Sequence, residues 1–174
     1  MRKCKVCKEK FVPMYNTIQP TCSPACALDL ARVKIKKEYK ATTLEMKRAN
    51  KSKGDWLKEA QTMFNRYIRM RDARNPCISC KRHHAGQYHA GHYKTVGAHS
   101  ALRFHEMNCH KQCSACNAHL SGNIIEYRKN LLKEIGEDNL NWIEGPHDIQ
   151  NLSIDDIQEI KEWFKYKLKL LSSS

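Results

Sequence analysis

The chain has 174 residues and lacks any apolar run near the roughly 20 residues that a membrane-spanning helix needs. Its start, "MRKCKVCKEK", has no apolar stretch, so it does not read as a secretory signal. Aromatic residues are scarce at 8%, and all hydrophobic residues together reach 41%. That is lean for one core and points to stability supplied from elsewhere, such as metal. Acidic charge is scarce in the front of the chain. Residues 1–75 carry a net +12, residues 76–123 a net +4 and residues 124–174 a net −3, within a total of +13. A basic front and an acidic back suit a polyanion, and nucleic acid fits that pattern better than a membrane. No internal repeat is visible beyond two cysteine modules.

Cysteine is the residue in excess. Nine of them, without a secretory signal, argue against a disulfide framework, and in a reducing compartment paired spacings read as metal ligands. The first set is Cys4-x2-Cys7-x14-Cys22-x3-Cys26 and the second is Cys77-x2-Cys80-x32-Cys113-x2-Cys116. Each close pair puts two sulfurs on one turn, and the intervening loop brings two pairs together, as a tetrahedral thiolate zinc site requires. Four cysteines close such a site, so both zinc ions are expected to be structural. Some twenty residues cannot fold on their own apolar surface, so the first site would supply its folding free energy through the metal. The 32-residue insert of the second is long enough for a β-hairpin and loop, with Cys113 and Cys116 opening a helix: a treble clef. Cys109, the odd cysteine, reads as a buried residue.

The expected class is α+β and mainly helical, in four segments. Residues 1–26 form an N-terminal zinc module and 27–75 a basic helical region. Residues 76–123 form a zinc-stapled core and 124–174 a C-terminal helical region. Ser23 reads as the N-cap of a long helix with Pro24 in its first turn. Gly54 marks a break, and Asp55 is expected to cap a second helix whose apolar face is Trp56, Ala60, Met63, Phe64, Tyr67 and Ile68. A third helix ends at Gly136, with Ile124, Ile125, Leu131, Leu132 and Ile135 expected inward. After a turn at 145–148, Ser153 and Asp156 pair as a capping box for a last helix buried through Ile157, Ile160, Phe164, Leu168 and Leu171.

The chemistry concentrates in residues 77–121, which hold eight of the nine histidines. "QYHAGHYKTVGAHS" is too polar for a core strand and too glycine-rich for a stable helix. It hangs between the two CxxC knuckles, and a rigid support of that kind suits a reactive site.

"HAGHY" followed by "NCHKQCSACNAHLSGN" resembles the cysteine-containing HNH endonucleases. In those, a histidine ends the first strand, an asparagine lies five residues before the first cysteine of a CxxC, and an asparagine or histidine follows the second. Here these positions are His92, Asn108 and Asn117. Together with "MRKCKVCKEKF", "WLKEAQTMFNRYIRMRDARNPCISC" and "YRKNLLKEIG", the strings look like the NinG (Rap) recombination family of lambdoid phages over most of the chain.

The resemblance implies a ββα-metal nuclease core that hydrolyses phosphodiester bonds of branched DNA, such as Holliday junctions and D-loops, in the host cytoplasm. In that scheme His92 is the general base. Asn108 orients its imidazole through the side-chain amide. A divalent ion, Mg²⁺ or Mn²⁺, meets the scissile phosphate and is held by Asn117. Many HNH enzymes carry an acid or histidine directly before the base, where this chain has Gly91. Strand alternation puts residue 89 on the same face, so His89 is a substitute ligand, with His119 a second. His105 and His110 touch phosphate or pack, while His83, His84 and His99 read as loop residues. Lys94, Arg103 and Lys111 are candidate phosphate contacts, which position DNA without reading sequence. A symmetric junction suits a homodimer, though no seam in the sequence marks an interface. Two other classes compete: a non-catalytic zinc DNA-binding protein, which has no need of the His92, Asn108 and Asn117 set, and an RNA-binding zinc protein.

Overall fold

The computed structural model describes residues 1–16 and 18–173. The chain divides into two units, Met1–Lys51 and Ser52–Ser174. The sequence-based division put one basic helical region at 27–75. The structure separates it, because its first helix buries nothing while its second is built into a core.

In the first unit, strands β1 (Arg2–Lys3) and β2 (Lys10–Phe11) pair antiparallel across the Cys4–Cys7 knuckle. Helix α1 (Pro24–Ala49) starts as its sequence dictates. The Ser23 side chain accepts from the Cys26 amide, and Pro24 sits where its missing N–H does no harm. No residue of α1 is buried.

In the second unit, helix α2 (Lys53–Arg71) begins earlier than expected. Ser52 is its N-cap, and Asp55 is the third helical residue whose carboxylate returns to the cap, a reciprocal box that satisfies two orphan donors. The expected face is buried at Trp56, Ala60, Phe64, Tyr67 and Ile68, with Met63 partly so. Strands β3 (Tyr88–His92) and β4 (Cys109–Cys113) form an antiparallel hairpin in which His92 faces Cys109 and His89 faces Gln112. Side chains alternate across it. Ala90 and Cys109 join Phe64, Tyr67 and Ile68 of α2 and Phe164 and Leu168 of α5 (Ile154–Ser172). On the opposite face Tyr93 joins Tyr127 and Leu131 of α3 (Ile124–Ile135) and Leu140 and Ile143 of α4 (Glu137–Glu144). The hairpin is thus the middle of three layers.

Three expectations need correction. Helix α3 turns Tyr127, Asn130 and Leu131 inward and leaves Ile124, Ile125 and Leu132 exposed, because its buried stripe begins one turn later than the apolar run suggests and includes an asparagine. Leu171 in α5 is also largely outside the core, although the Ser153–Asp156 capping box and Ile157, Phe164 and Leu168 are as expected. Helix α4, absent from the sequence reading, is eight residues long and begins directly after Gly136, whose φ of +80° lets the chain turn without a break.

One polar clamp ties α2 to β4. Asp72, 5% exposed, accepts from Arg71 Nε at 2.7 Å and from the Lys111 amide at 2.9 Å. Arg71 spends its remaining donors on the carbonyls of Glu106 and Cys109. Truncating one partner leaves a buried charge alone. Asp72→Ala is therefore expected to lower unfolding free energy by about 3–5 kcal/mol, read by urea denaturation of the zinc-loaded protein.

Candidate functional site

The cysteines of the two predicted sets come together in space. In each set of four, all Sγ atoms lie within 4.8 Å of one another. Cys7 and Cys22 are 3.5 Å apart and Cys22 and Cys26 are 3.8 Å apart. Tetrahedral zinc with bonds near 2.3 Å places its sulfurs about 3.8 Å apart, so the sets fit that ion. Both tetrads can hold zinc.

The second tetrad is also prepared for negative charge. The Cys113 amide points at Cys77 Sγ at 3.3 Å, and the Asn123 side chain at Cys116 Sγ at 3.6 Å. His84 Nε2 lies 3.2 Å from Cys80 Sγ, while its backbone N–H donates to the Tyr88 hydroxyl. Burial resists ionisation of Cys80, but His84 and nearby donors outweigh it and bring the pKa down to about 6. At Cys116 burial, together with the crowding of Cys113 and Cys77, pushes the thiol up to about 12 against the pull of Asn123. The four thiolates conflict with one another unless a cation sits among them. His84, which the sequence reading left in a loop, is thus a second layer to this site. Its position four residues after Cys80 is the signal that was available.

His92 ends β3 where expected. Its ring packs 5.7 Å from that of Phe64, and Nε2 lies 2.9 Å from the Arg103 carbonyl. A carbonyl only accepts, so Nε2 carries the proton and Nδ1 is left as the basic nitrogen. Nδ1 faces Cys109 Sγ at 3.6 Å, a weak contact. Burial holds the imidazole below its ordinary value, helped by the Arg103 charge and opposed by the Arg103 carbonyl, so His92 is neutral at pH 7.

Asn108 does not orient that imidazole through its side chain. Its Oδ1 accepts from the Lys94 amide at 2.8 Å, and its Nδ2 donates to the carbonyls of Lys94 and Leu102. Fully buried, it staples the two ends of the 94–102 loop, and the loop then delivers the Arg103 carbonyl to His92. Any link from Asn108 to the ring therefore runs through the backbone. Lys111 is not a phosphate contact. It is 6% exposed, donates to the Ala73 carbonyl and lies over the Tyr88 ring. Lys94 and Arg103 remain partly exposed.

Gly91 has a packing reason. A Cβ there would lie 2.1 Å from Gln112 Oε1. Gln112 is held by its Nε2, which donates to Ser79 Oγ and the Gly122 carbonyl, and its Oε1 is buried without a partner. The space that a side chain at 91 would fill thus contains an unpaired amide oxygen. His89, opposite Gln112, is half-buried, Asn117 is half-buried on the turn after Cys116, and His119 is exposed. Among the described residues, His89 and His119 join no converging group of three or more His, Cys, Asp or Glu. His110 packs, with Nδ1 3.3 Å from the Tyr127 hydroxyl. His105 packs against Trp142.

The model of the Bacteriophage Lambda NinG protein family matches residues 1–173. The chain belongs to the NinG family. It is 37% identical over 191 residues to Protein ninG of Escherichia phage 933W, covering 99% of this chain and 94% of that protein. The ninG proteins of Escherichia phage lambda and Enterobacteria phage H19B are 37% and 39% identical, each with 99% of this chain and 94% of theirs covered. No solved structure matches this NinG-family chain. None of its described helices is long and apolar enough to cross a membrane.

Two tests follow from the thiolates and the buried imidazoles. Metal analysis should find two zinc ions per chain. Cys22→Ser should lose one and leave the cooperative unfolding of Ser52–Ser174 intact, whereas Cys113→Ser should lose the other and abolish that transition. Burial, with Arg71 beside it, pushes His110 down to about 4, and burial also lowers His92 and His105. Unfolded histidine takes its proton near 6.5. Between those values the unfolded chain binds more protons, so stability is full well above pH 6.5 and falls as pH drops through it. His110 alone should remove about 1 kcal/mol between pH 6.5 and 5.5, seen in urea midpoints with zinc content monitored.

Proposed function

We propose that this NinG-family protein is a structure-specific endonuclease that cuts branched DNA by hydrolysing a phosphodiester bond. One observation carries the reading: a neutral imidazole, His92, sits at the end of a strand between two CxxC knuckles with its tautomer set by the Arg103 carbonyl. A general base at pH 7 needs these properties. Nδ1 takes the proton of the attacking water once that water replaces the weak Cys109 contact. Asn108 is a positioning residue that keeps the loop, and so the Arg103 carbonyl, in place. Lys94 and Arg103 hold flanking phosphates, contacts that favour branch shape over sequence.

The candidate ligands Asn117, His89 and His119 suit a loosely held divalent ion rather than a closed site. The side chain of Asn117 makes no hydrogen bond among the described residues, and His89 and His119 are within the same segment, but no carboxylate joins them. Such a set suits Mg²⁺ or Mn²⁺ that keeps its waters and arrives with the phosphate. When bound, the ion supplies Lewis-acid stabilisation of the leaving oxygen. The missing carboxylate also favours a second reading, a zinc-dependent DNA-binding protein without cleavage.

Single-turnover cleavage of Holliday junction, D-loop, flap and linear duplex separates the two. The wild type should cut branched substrates with Mg²⁺ or Mn²⁺, and His92→Ala should lose about 10²–10⁴ in rate with both zinc ions retained. A wild-type rate in that variant overturns the assignment of the base. The acid limb of the rate profile should lie below pH 6.5, because protonation of His92 ends its role and burial delays it.

A further inference from the structure

A cleft beside the His92 loop has no part in the chemistry above. It has a volume of about 470 Å³, in the range of roughly 300–1,000 Å³ typical of small-ligand sites. Trp142 of α4 and His147, Asp148, Gln150 and Asn151 of the following segment line it, together with the apolar Ala101, Leu102 and Ile149. Trp142 is 49% exposed, although its ring is held on two sides. The His105 ring lies 4.7 Å away at 39°, and the His147 ring 4.7 Å away at 70°. His105 Nδ1 and His147 Nε2 are shielded from solvent and have no hydrogen-bond partner. The indole is therefore held in place by two rings yet half exposed.

The segment behind it is also fixed. The Gln150 amide donates to Ser100 Oγ at 3.1 Å, and Lys53 Nζ donates to Asn151 Oδ1 at 2.7 Å. Ser100 lies three residues before Arg103, whose carbonyl holds His92. The cleft and the proposed base therefore share one loop.

The lining selects its occupant by chemistry. Asp148 disfavours a phosphate group in the cleft. A flat, neutral group with a π-face and N–H donors suits an exposed indole bordered by a carboxylate, two amides, one imidazole and aliphatic side chains. We infer that the Trp142 cleft takes one unpaired base of a DNA strand, stacked on the indole, with its edge facing Asp148, Gln150 and Asn151. A base inside a continuous duplex cannot offer its face, whereas a base unstacked at a branch can. The inference rests on the reading of the protein as one that acts on branched DNA and adds the feature of the branch that it senses. Flanking phosphates fall to basic side chains outside the cleft, Arg103 among them.

The test compares a junction carrying one unpaired adenine at the branch with the same junction made abasic at that position. Binding is read by fluorescence anisotropy at fixed salt, on zinc-loaded protein, without other divalent ions. The wild type should bind the base-containing junction roughly 5- to 100-fold more tightly, the range that loss of one base–aromatic stack gives. In Trp142→Ala the two junctions should bind alike, and Trp142→Phe should keep most of the preference. 2-Aminopurine at the unpaired position should be quenched by the wild type and not by Trp142→Ala. Equal wild-type affinity for the two junctions, or no binding to either, overturns the base site. The abasic comparison needs no variant, so it decides the matter even if Trp142→Ala fails to fold. A failure of cleavage alone leaves the site standing, because binding is read without the ion that cleavage needs.

Discussion

The fixed point of the second unit is the buried carboxylate of Asp72. It sits at the C-terminal end of α2, accepts from Arg71 and from the Lys111 amide, and so anchors the middle of β4 to a helix that is distant in sequence. Arg71 extends the clamp to the carbonyls of Glu106 and Cys109, the residues that bracket Asn108. A buried ion pair is weak ground for stability alone. Its value here is positional, because the bonds that leave the pair end on backbone of β4 and of the turn before it, at Lys111, Cys109 and Glu106. Were β4 to slip by one residue, every side chain would exchange faces, and Cys113 would leave the tetrad. The clamp, the tetrad and the Asn108 staple therefore specify the same register three times.

That redundancy explains which parts of the molecule were legible in the sequence. Cysteine spacing is local and constrained by the geometry of one ion, so both tetrads could be read from residue numbers. Ser23 with Pro24, and Ser153 with Asp156, are local cap signals, and the helices begin where those residues put them. The Asn108 and Lys111 roles were not legible, because both depend on long-range partners. Lys111 looks like any cation in a basic segment until the Ala73 carbonyl and the Tyr88 ring close over it. Ser52 was passed over as a cap because Asp55 offered the same chemistry three residues later, and only the backbone shows that the two act as a pair. Helix α4 was hidden by its shortness and by its polar first turn.

Gly91 shows how an apparent departure from a pattern can be the pattern's local solution. Read along the chain, a glycine before His92 is a missing donor. In the fold it is the space that Gln112 needs. The amide is anchored through its Nε2, since the Gly122 carbonyl can only accept, and this sends the oxygen toward Gly91. Restoring a side chain at 91 would therefore displace Gln112, and with it the bridge from β4 to Ser79 beside Cys80. Position 91 thus belongs to the support of the tetrad as much as to the neighbourhood of His92.

The two kinds of nitrogen and sulfur donor in this core are kept apart by their surroundings. At the tetrad, N–H groups from Cys113, Asn123 and His84 point at sulfur, which favours the charged thiolate and the cation it needs. At His92 the apolar ring of Phe64 and the burial of Cys109 favour neutral forms instead, and the Cys109 thiol is held far above its ordinary range by that burial. The hairpin separates these environments by the length of one strand. Cys109 sits next to a histidine and one residue from Asn108, yet it cannot compete for a cation as long as it keeps its proton. An imidazole beside a protonated thiol retains its basic nitrogen, whereas one beside a thiolate would be drawn into metal binding. Burial of Cys109 thus lets one short hairpin carry a tetrad that can hold zinc at one end and a neutral imidazole at the other.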